Sequence, residues 1–260
     1  MLTRLAAHRN LLKNLVLRDL RHRYAGSVGG FCWAVIHPLA LLVSYTFVFK
    51  IVFKARLGPE SGSDSFTLFL FCGILPWLLF SDTVLRSCAS ITENTQLITK
   101  TVIPAEILPM AITLSNLVQH AIGLALLLIV MAVFFKVHLS VLFILLYMPM
   151  LLMLAQGLGW IVAGLQVFLR DTAQVLQILM QLWFFFTPIF WAMESVDARN
   201  RALLQWNPMA VLITGYRNSL LNLSQPRPDQ ILIVFILSSG VFLLGAILFR
   251  QAKPAFPDVL

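Results

Sequence analysis

The residues of this chain with the type and spacing for chemistry point to anion binding rather than to bond-making. Arg4, His8, Arg9, Lys13, Arg18, Arg21, His22 and Arg23 run through the first section, and Leu5, Leu12, Val16 and Leu20 recur at helical spacing between them. This is the pattern of a basic amphipathic helix, lying in the plane of lipid headgroups or packed on a partner protein. Arg21 and Arg23 fall between that helix and the first apolar segment. A planar guanidinium fork matches the oxygens of a phosphate, where lysine supplies only a point charge. Ordinary anchoring of a basic flank is the alternative reading of the same two residues.

Catalytic motifs are absent. No G-x-x-x-x-G-K-[ST] occurs and no Gly precedes a Lys, so the chain has no phosphate loop of its own for a nucleotide. H-E-x-x-H, G-x-S-x-G and C-x-x-C are missing as well. Cys32, Cys72 and Cys88 have no metal-ligand spacing and cannot complete a disulfide framework, so they read as packed thiols, and no metal site is expected. His120, beside Gln119, is an ionisable group inside an apolar segment: either a functional group or a neutral ring bonded to a neighbouring helix. The acids Asp82, Glu93, Glu106, Asp171 and Glu194 fall at segment ends, and Asp82 is expected to pair with Arg86 four residues on. Without acids inside the segments or a visible inverted repeat, a self-contained proton or sodium transporter is disfavoured. A membrane-embedded glycosyl- or acyltransferase would need acids or histidines poised at one interface, and no such constellation occurs.

The elements that must position these residues are membrane spans. Six long apolar segments, Phe31 to Phe53, Phe66 to Leu85, Ile107 to Phe135, Leu139 to Leu169, Val175 to Ala192 and Ile231 to Phe249, are apolar nearly all round. Each can cross a hydrocarbon core of about 30 Å at about 1.5 Å per residue. Of the 260 residues 59% are hydrophobic and 12% charged, about half the usual charged share of a soluble domain. The net charge of +8 is scattered between segments rather than gathered on one face, which favours anionic lipid over nucleic acid as its partner. The expected fold is an all-α integral membrane protein, a single unit over 1–260. Residues 1–28 form an amphipathic interface helix and 29–260 a six-span region.

The basic N-terminal flank, Arg86, Lys100, Arg170, Arg250 and Lys253 place both termini on the cytoplasmic side. Residues 193–230 hold an apolar run, Ala210 to Leu223, too short to cross, preceded by Asn207-Pro208. A re-entrant segment lining or capping a pathway is expected, with a surface loop as the alternative. Ala155, Gly159 and Ala163, with Gly157 and Gly164 nearby, let helix backbones approach within the subunit or between two subunits. Trp77, Trp160, Trp183, Trp191 and Trp206 are expected near span ends as an aromatic belt, or facing a channel as ring surfaces for sugars. Glu93 to Pro104 and Arg170-Asp171 are short polar breaks: simple turns, or places where a soluble partner pushes on the spans.

The run Leu17-Arg18-Asp19-Leu20-Arg21-His22-Arg23-Tyr24-Ala25-Gly26-Ser27-Val28-Gly29-Gly30, with Trp33 and Pro38, resembles the opening motif of type-2 ABC exporter permeases for bacterial polysaccharides. Gly73-Ile74-Leu75-Pro76-Trp77 with Phe80, Asn94 with Leu97-Ile98, Pro104-Ala105-Glu106, Arg170-Asp171, Thr187-Pro188, and Asn207-Pro208 with Tyr216-Arg217 follow in the family's order. The resemblance covers nearly the whole chain and is nearest the O-antigen branch; capsule and teichoic acid exporters share the architecture, and drug or heme exporters share the broad fold. It implies a half-transporter in the bacterial inner membrane. Two copies would form the pore, and two copies of a separate ATPase would hold ATP and Mg, so that this chain binds no cofactor. It implies lipid-pyrophosphate contacts near Arg21, Arg23 and Tyr24. ATPase contacts would fall at Glu93, Asn94, Lys100, Pro104, Arg170 and Asp171. An outer mouth would be built around Trp77, Phe80, Trp206, Asn207, Pro208, Tyr216 and Arg217. The cargo it implies is a glycan on undecaprenyl pyrophosphate.

Overall fold

The computed structural model describes residues 9–24, 32–52, 66–100, 104–135, 137–193, 196–197, 199–200, 204 and 206–260. Among them every regular element is helical: α1 (Arg9–Tyr24), α2 (Trp33–Thr46), α3 (Phe66–Ala89), α4 (Thr95–Lys100), α5 (Ile107–Phe134), α6 (Ile144–Phe168), α7 (Thr172–Phe185), α8 (Pro208–Leu221), α9 (Pro228–Ala252) and α10 (Phe256–Val259). Among the described residues four stretches are long and apolar enough to cross a bilayer: Phe66–Ala89, Ile107–Phe134, Leu139–Phe168 and Pro228–Val259.

The expected first and fifth spans are shorter. α2 has 14 residues and runs on into a π-helical turn, Phe47–Val52. α7 also has 14 residues and stops at Phe185 rather than reaching Ala192. Pro188 explains the stop: it has no N–H to donate and disfavours helical backbone at Thr187. The Thr187 hydroxyl instead donates to the Trp183 carbonyl at 2.7 Å.

α6 is the central element, lying along both α3 and α9. Its small residues serve contact inside the chain. A Cβ on Gly157 would come within 2.6 Å of the Val241 carbonyl of α9, and one on Gly159 would meet the Ser87 hydroxyl of α3 at 2.9 Å. The main core lies between α3, α6, α7 and α8. A second, smaller core holds Ile91, Leu108, Trp160, Val167, Phe249 and Phe256, with Leu15, Leu97 and Ile98 against it. It gathers α1, α4 and the C-terminal tail at one end of the bundle. Lys253 in that tail pairs with Glu106 at 2.9 Å, so the glutamate ahead of α5 holds a partner as well as facing the helix dipole.

One sequence expectation is corrected here. Trp77 and Trp160 are not belt residues: Trp77 is buried midway along α3, and Trp160 is 1% exposed, its indole donating to the Glu106 carbonyl at 3.3 Å. α1 is packed on its own chain. Leu12, Val16 and Leu20 are half-buried, and the helix packs along α5 of its own chain.

Candidate functional site

The most developed polar constellation lies where α1 meets α3 and α5. Asp19 is its hub. Its Oδ1 accepts from Arg86 of α3, and its Oδ2 accepts from the Ser115 hydroxyl of α5 and from Arg23 Nε at 3.4 Å. Arg23 also donates to Asn116 Oδ1 and, at 3.3 Å, to Gln119 Oε1. Arg86 reaches the same Asn116 oxygen at 3.4 Å, while the Asn116 amide donates to Thr83 Oγ1 at 3.0 Å. Asp19 meets Ser115 and Arg23 meets Gln119, so α1 and α5 run side by side in the same direction. Gln119 stands twelve residues past Ile107, about 18 Å along the axis at about 1.5 Å per residue. Arg23 is therefore level with a point well along α5 rather than with its first turn. Arg86 pairs with Asp19 rather than with Asp82 as expected; Asp82 lines a small cavity with His37, Gln119 and His120.

A larger cavity of about 350 Å³ opens beside this cluster, lined by Arg18, Asp19, His22, Arg86, Glu93 and Asn94 among others. Arg21 is exposed and shares a shallow recess with Arg18 and His22. Arg21 and Arg23 thus differ: one is presented outward, the other is bonded within the bundle. Only the backbone of Tyr24 and of Lys100 falls within the described structure. Glu93, Arg170 and Asp171 are exposed, and Asn94 and Pro104 are half-buried. The Asn94 amide donates to the Ser90 carbonyl at 3.0 Å, closing the turn after α3. Gln166, which the sequence did not single out, fixes the break between α6 and α7. Its amide donates to the Arg170 carbonyl at 3.1 Å and its oxygen accepts from Ala173 N–H at 2.9 Å.

α8 reaches the opposite end of the bundle. Asn207 caps it, accepting from Met209 N–H at 3.1 Å, and Pro208 stands in the first turn, where no N–H is needed. Asn222 ends it in the left-handed region at φ 53°. Asn207 also takes the Trp183 indole N–H at 2.9 Å and donates to the Phe186 carbonyl at 3.2 Å. Asn222 to Gln225 lie beside Leu139 and Phe143 at that end, while Asn207, through Trp183, lies level with Phe80 part-way along α3, so α8 runs from inside the bundle to its end.

Of the residues expected at an outer mouth, only Trp206 is strongly exposed, at 70%. Trp77 and Phe80 are buried in a ring cluster with Trp183 and Phe184. Tyr216 is buried, 2.7 Å from His120 Nε2, whose other ring nitrogen lies 3.3 Å from the Leu75 carbonyl. His120 is thus a bonded core histidine, the second of its two sequence readings. Arg217 is 3% exposed and donates to the carbonyls of Phe69, Pro188 and Ile189. In this conformation Trp77, Phe80, Tyr216 and Arg217 build the interior of the chain and offer no side chain to its surface.

Among the described residues no three His, Cys, Asp or Glu side chains gather as a metal site. What the cluster on α1, α3 and α5 offers chemically is convergent guanidinium groups able to hold an anion.

The chain is 27% identical to the O-antigen export system permease protein RfbA of Myxococcus xanthus, over 96% of this chain and 95% of the relative. It is 27% identical to RfbA of Klebsiella pneumoniae over the same shares, and 27% identical to the polysialic acid transport protein KpsM of Escherichia coli over 80% of each chain. The profile of ABC-2 type transporters matches residues 10–221, from the second residue of α1 to the end of α8. The chain belongs to the ABC-2 type transporter family.

Proposed function

We propose that this chain is the permease of an ATP-driven exporter that moves undecaprenyl-pyrophosphate-linked O-antigen polysaccharide across the bacterial inner membrane. The observation that carries the reading is the end-to-end similarity to O-antigen export permeases, which leaves almost no part of the chain outside the match. In this account two copies form the pathway across six spans each, with α2 and α7 completing the set. Two copies of a separate ATPase supply ATP and Mg, because the chain has no phosphate loop. The chain itself is not an enzyme and binds no cofactor.

The end that gathers α1, α4 and the C-terminal tail faces the cytoplasm. Glu93, Asn94, Lys100, Pro104, Arg170 and Asp171 meet the ATPase there, and α1 is the interface helix. α8, which runs from the level of Phe80 to the far side, is the re-entrant element of the outer mouth. The exposed apolar residues Val43 of α2 and Ile178 and Phe185 of α7 face lipid or the second copy. ATP on the partner biases pore states through its different affinity for each of them.

Orientation gives an early test. In a background with Cys32 replaced by Ser, Glu60→Cys and Ala198→Cys should label from the periplasm with an impermeant thiol reagent. Gln96→Cys and Ala255→Cys should label only after permeabilisation. The reverse pattern would invert the chain and remove the ATPase-facing role of Glu93 to Pro104.

Deletion of the gene tests the cargo. Cells should lose surface O-antigen and accumulate the glycan on undecaprenyl pyrophosphate inside. A capsule-type glycan is the second reading, favoured by the similarity to the polysialic acid transport protein. Loss of surface capsule with O-antigen intact would select it.

A further inference from the structure

We propose that Asp19 is an internal stand-in for a phosphate. Its carboxylate holds a site built by Arg23, Arg86, Ser115 and Asn116, and the diphosphate of the lipid-linked substrate displaces it. The inference rests on the exporter reading above and gives that substrate a specific place.

The donor set argues for it. Both oxygens of one carboxylate are taken up by donors from three helices: Arg23 of α1, Arg86 of α3 and the Ser115 hydroxyl of α5. Convergent guanidinium groups with a hydroxyl are what a phosphate oxygen requires, since it only accepts. Asn116 orients both arginines through a single oxygen and is itself fixed by Thr83. The arginines are therefore held in place by groups other than Asp19.

Charge argues the same way. Two arginines and one aspartate leave the cluster with one positive charge in excess, and the three side chains are part-buried, 17% to 34% exposed. A diphosphate would answer that excess better than a single carboxylate does. The cavity of about 350 Å³ that Asp19 and Arg86 share with Arg18 and His22 gives a headgroup room to enter. Glu93 also lines this cavity, and its carboxylate disfavours an anion in its own part of it. Displacement of Asp19 would break the bond between α1 and α3, so the loading of substrate would be felt by α1.

The test uses the permease assembled with its ATPase in nanodiscs, with undecaprenyl diphosphate, undecaprenol and inorganic pyrophosphate as probes. Asp19→Asn removes the internal competitor, so undecaprenyl diphosphate should bind about tenfold more tightly, with undecaprenol unchanged. A residue that merely docked α1 would give the opposite sign. Arg86→Gln alone should weaken undecaprenyl diphosphate at least about tenfold, and combined with Asp19→Asn it should erase the gain. Inorganic pyrophosphate should respond in the same proportion from a weaker starting affinity; equal affinity for it and the lipid would assign the site to a free anion and overturn the proposal. Unchanged or weaker binding in Asp19→Asn would also overturn it. Tight lipid binding that ignores both substitutions removes this site and leaves the exporter reading standing. A complex that neither distinguishes the diphosphate from undecaprenol nor exports glycan removes both.

Discussion

Gly157→Leu should abolish folded, assembled permease. The α6 and α9 backbones touch at this position: a Cβ there would meet the Val241 carbonyl at 2.6 Å and the Phe242 backbone nitrogen at 2.7 Å. Both neighbours are main chain, and neither can rotate away. Lipid tails are as apolar as the helices, so association inside a bilayer relies on close packing rather than on the hydrophobic effect. Overpacking a tight core costs about 1–3 kcal/mol even where side chains can shift, and here the helices themselves must separate. Gly157→Ala should already lower thermal stability markedly, while Leu leaves no monodisperse protein in detergent. Gly240→Ala, on the same α9 helix, is the control, because a Cβ there meets nothing within 4 Å. Equal behaviour of Gly157→Ala and Gly240→Ala would deny that α6 and α9 pack as described.

Arg217→Leu is expected to have the next largest effect. The guanidinium is buried and joins three pieces of chain. It donates to the Phe69 carbonyl of α3 at 3.2 Å, and to the carbonyls of Pro188 and Ile189 after α7 at 3.0 and 3.1 Å, while belonging to α8. It also lies 3.5 Å from the centroid of the Phe69 ring. Leucine would leave those buried carbonyls without this donor, at about 1–3 kcal/mol for each unsatisfied group. The stretch after α7 should come loose, with a fall in thermal stability and a loss of export. Lysine keeps the charge but not the fork, so Arg217→Lys should be intermediate. Gly73→Ala should mimic it, since a Cβ there would press on the same guanidinium at 2.7 Å. Wild-type stability and export in Arg217→Leu would remove its role in holding α8.

What the sequence made legible was governed by local rules. The apolar runs, the Asn207-Pro208 start of α8 and the polar breaks at Glu93 to Pro104 and Arg170-Asp171 all depend on residues close in the chain. Among the described residues four of the six runs form span-length helices, α8 starts at Asn207-Pro208, and α6 and α7 part at Arg170-Asp171. The misreadings came from contacts between distant residues. Asp82 and Arg86 have the spacing of a helix pair, but the Asp19 carboxylate, sixty-seven residues away in sequence, takes the guanidinium. Arg21 and Arg23 look equivalent by spacing. They separate only because α1 runs along α5, which turns Arg23 toward Asn116 and Gln119. Trp77 and Trp160 resemble belt residues until α3 and α6 are seen to carry them into the core. Periodicity assigns each helix a face, but which polar groups meet across two faces depends on how the helices are arranged.

The central claim is that this chain provides the path and a separate ATPase provides the energy. Proteoliposomes holding the permease with its ATPase, loaded with undecaprenyl-pyrophosphate-linked glycan on the ATP-accessible side, test it most directly. Glycan should become reachable on the opposite face only when ATP, Mg and both proteins are present, with no hydrolysis by the permease alone. Transfer without the ATPase, or ATP turnover by the permease by itself, would contradict the account.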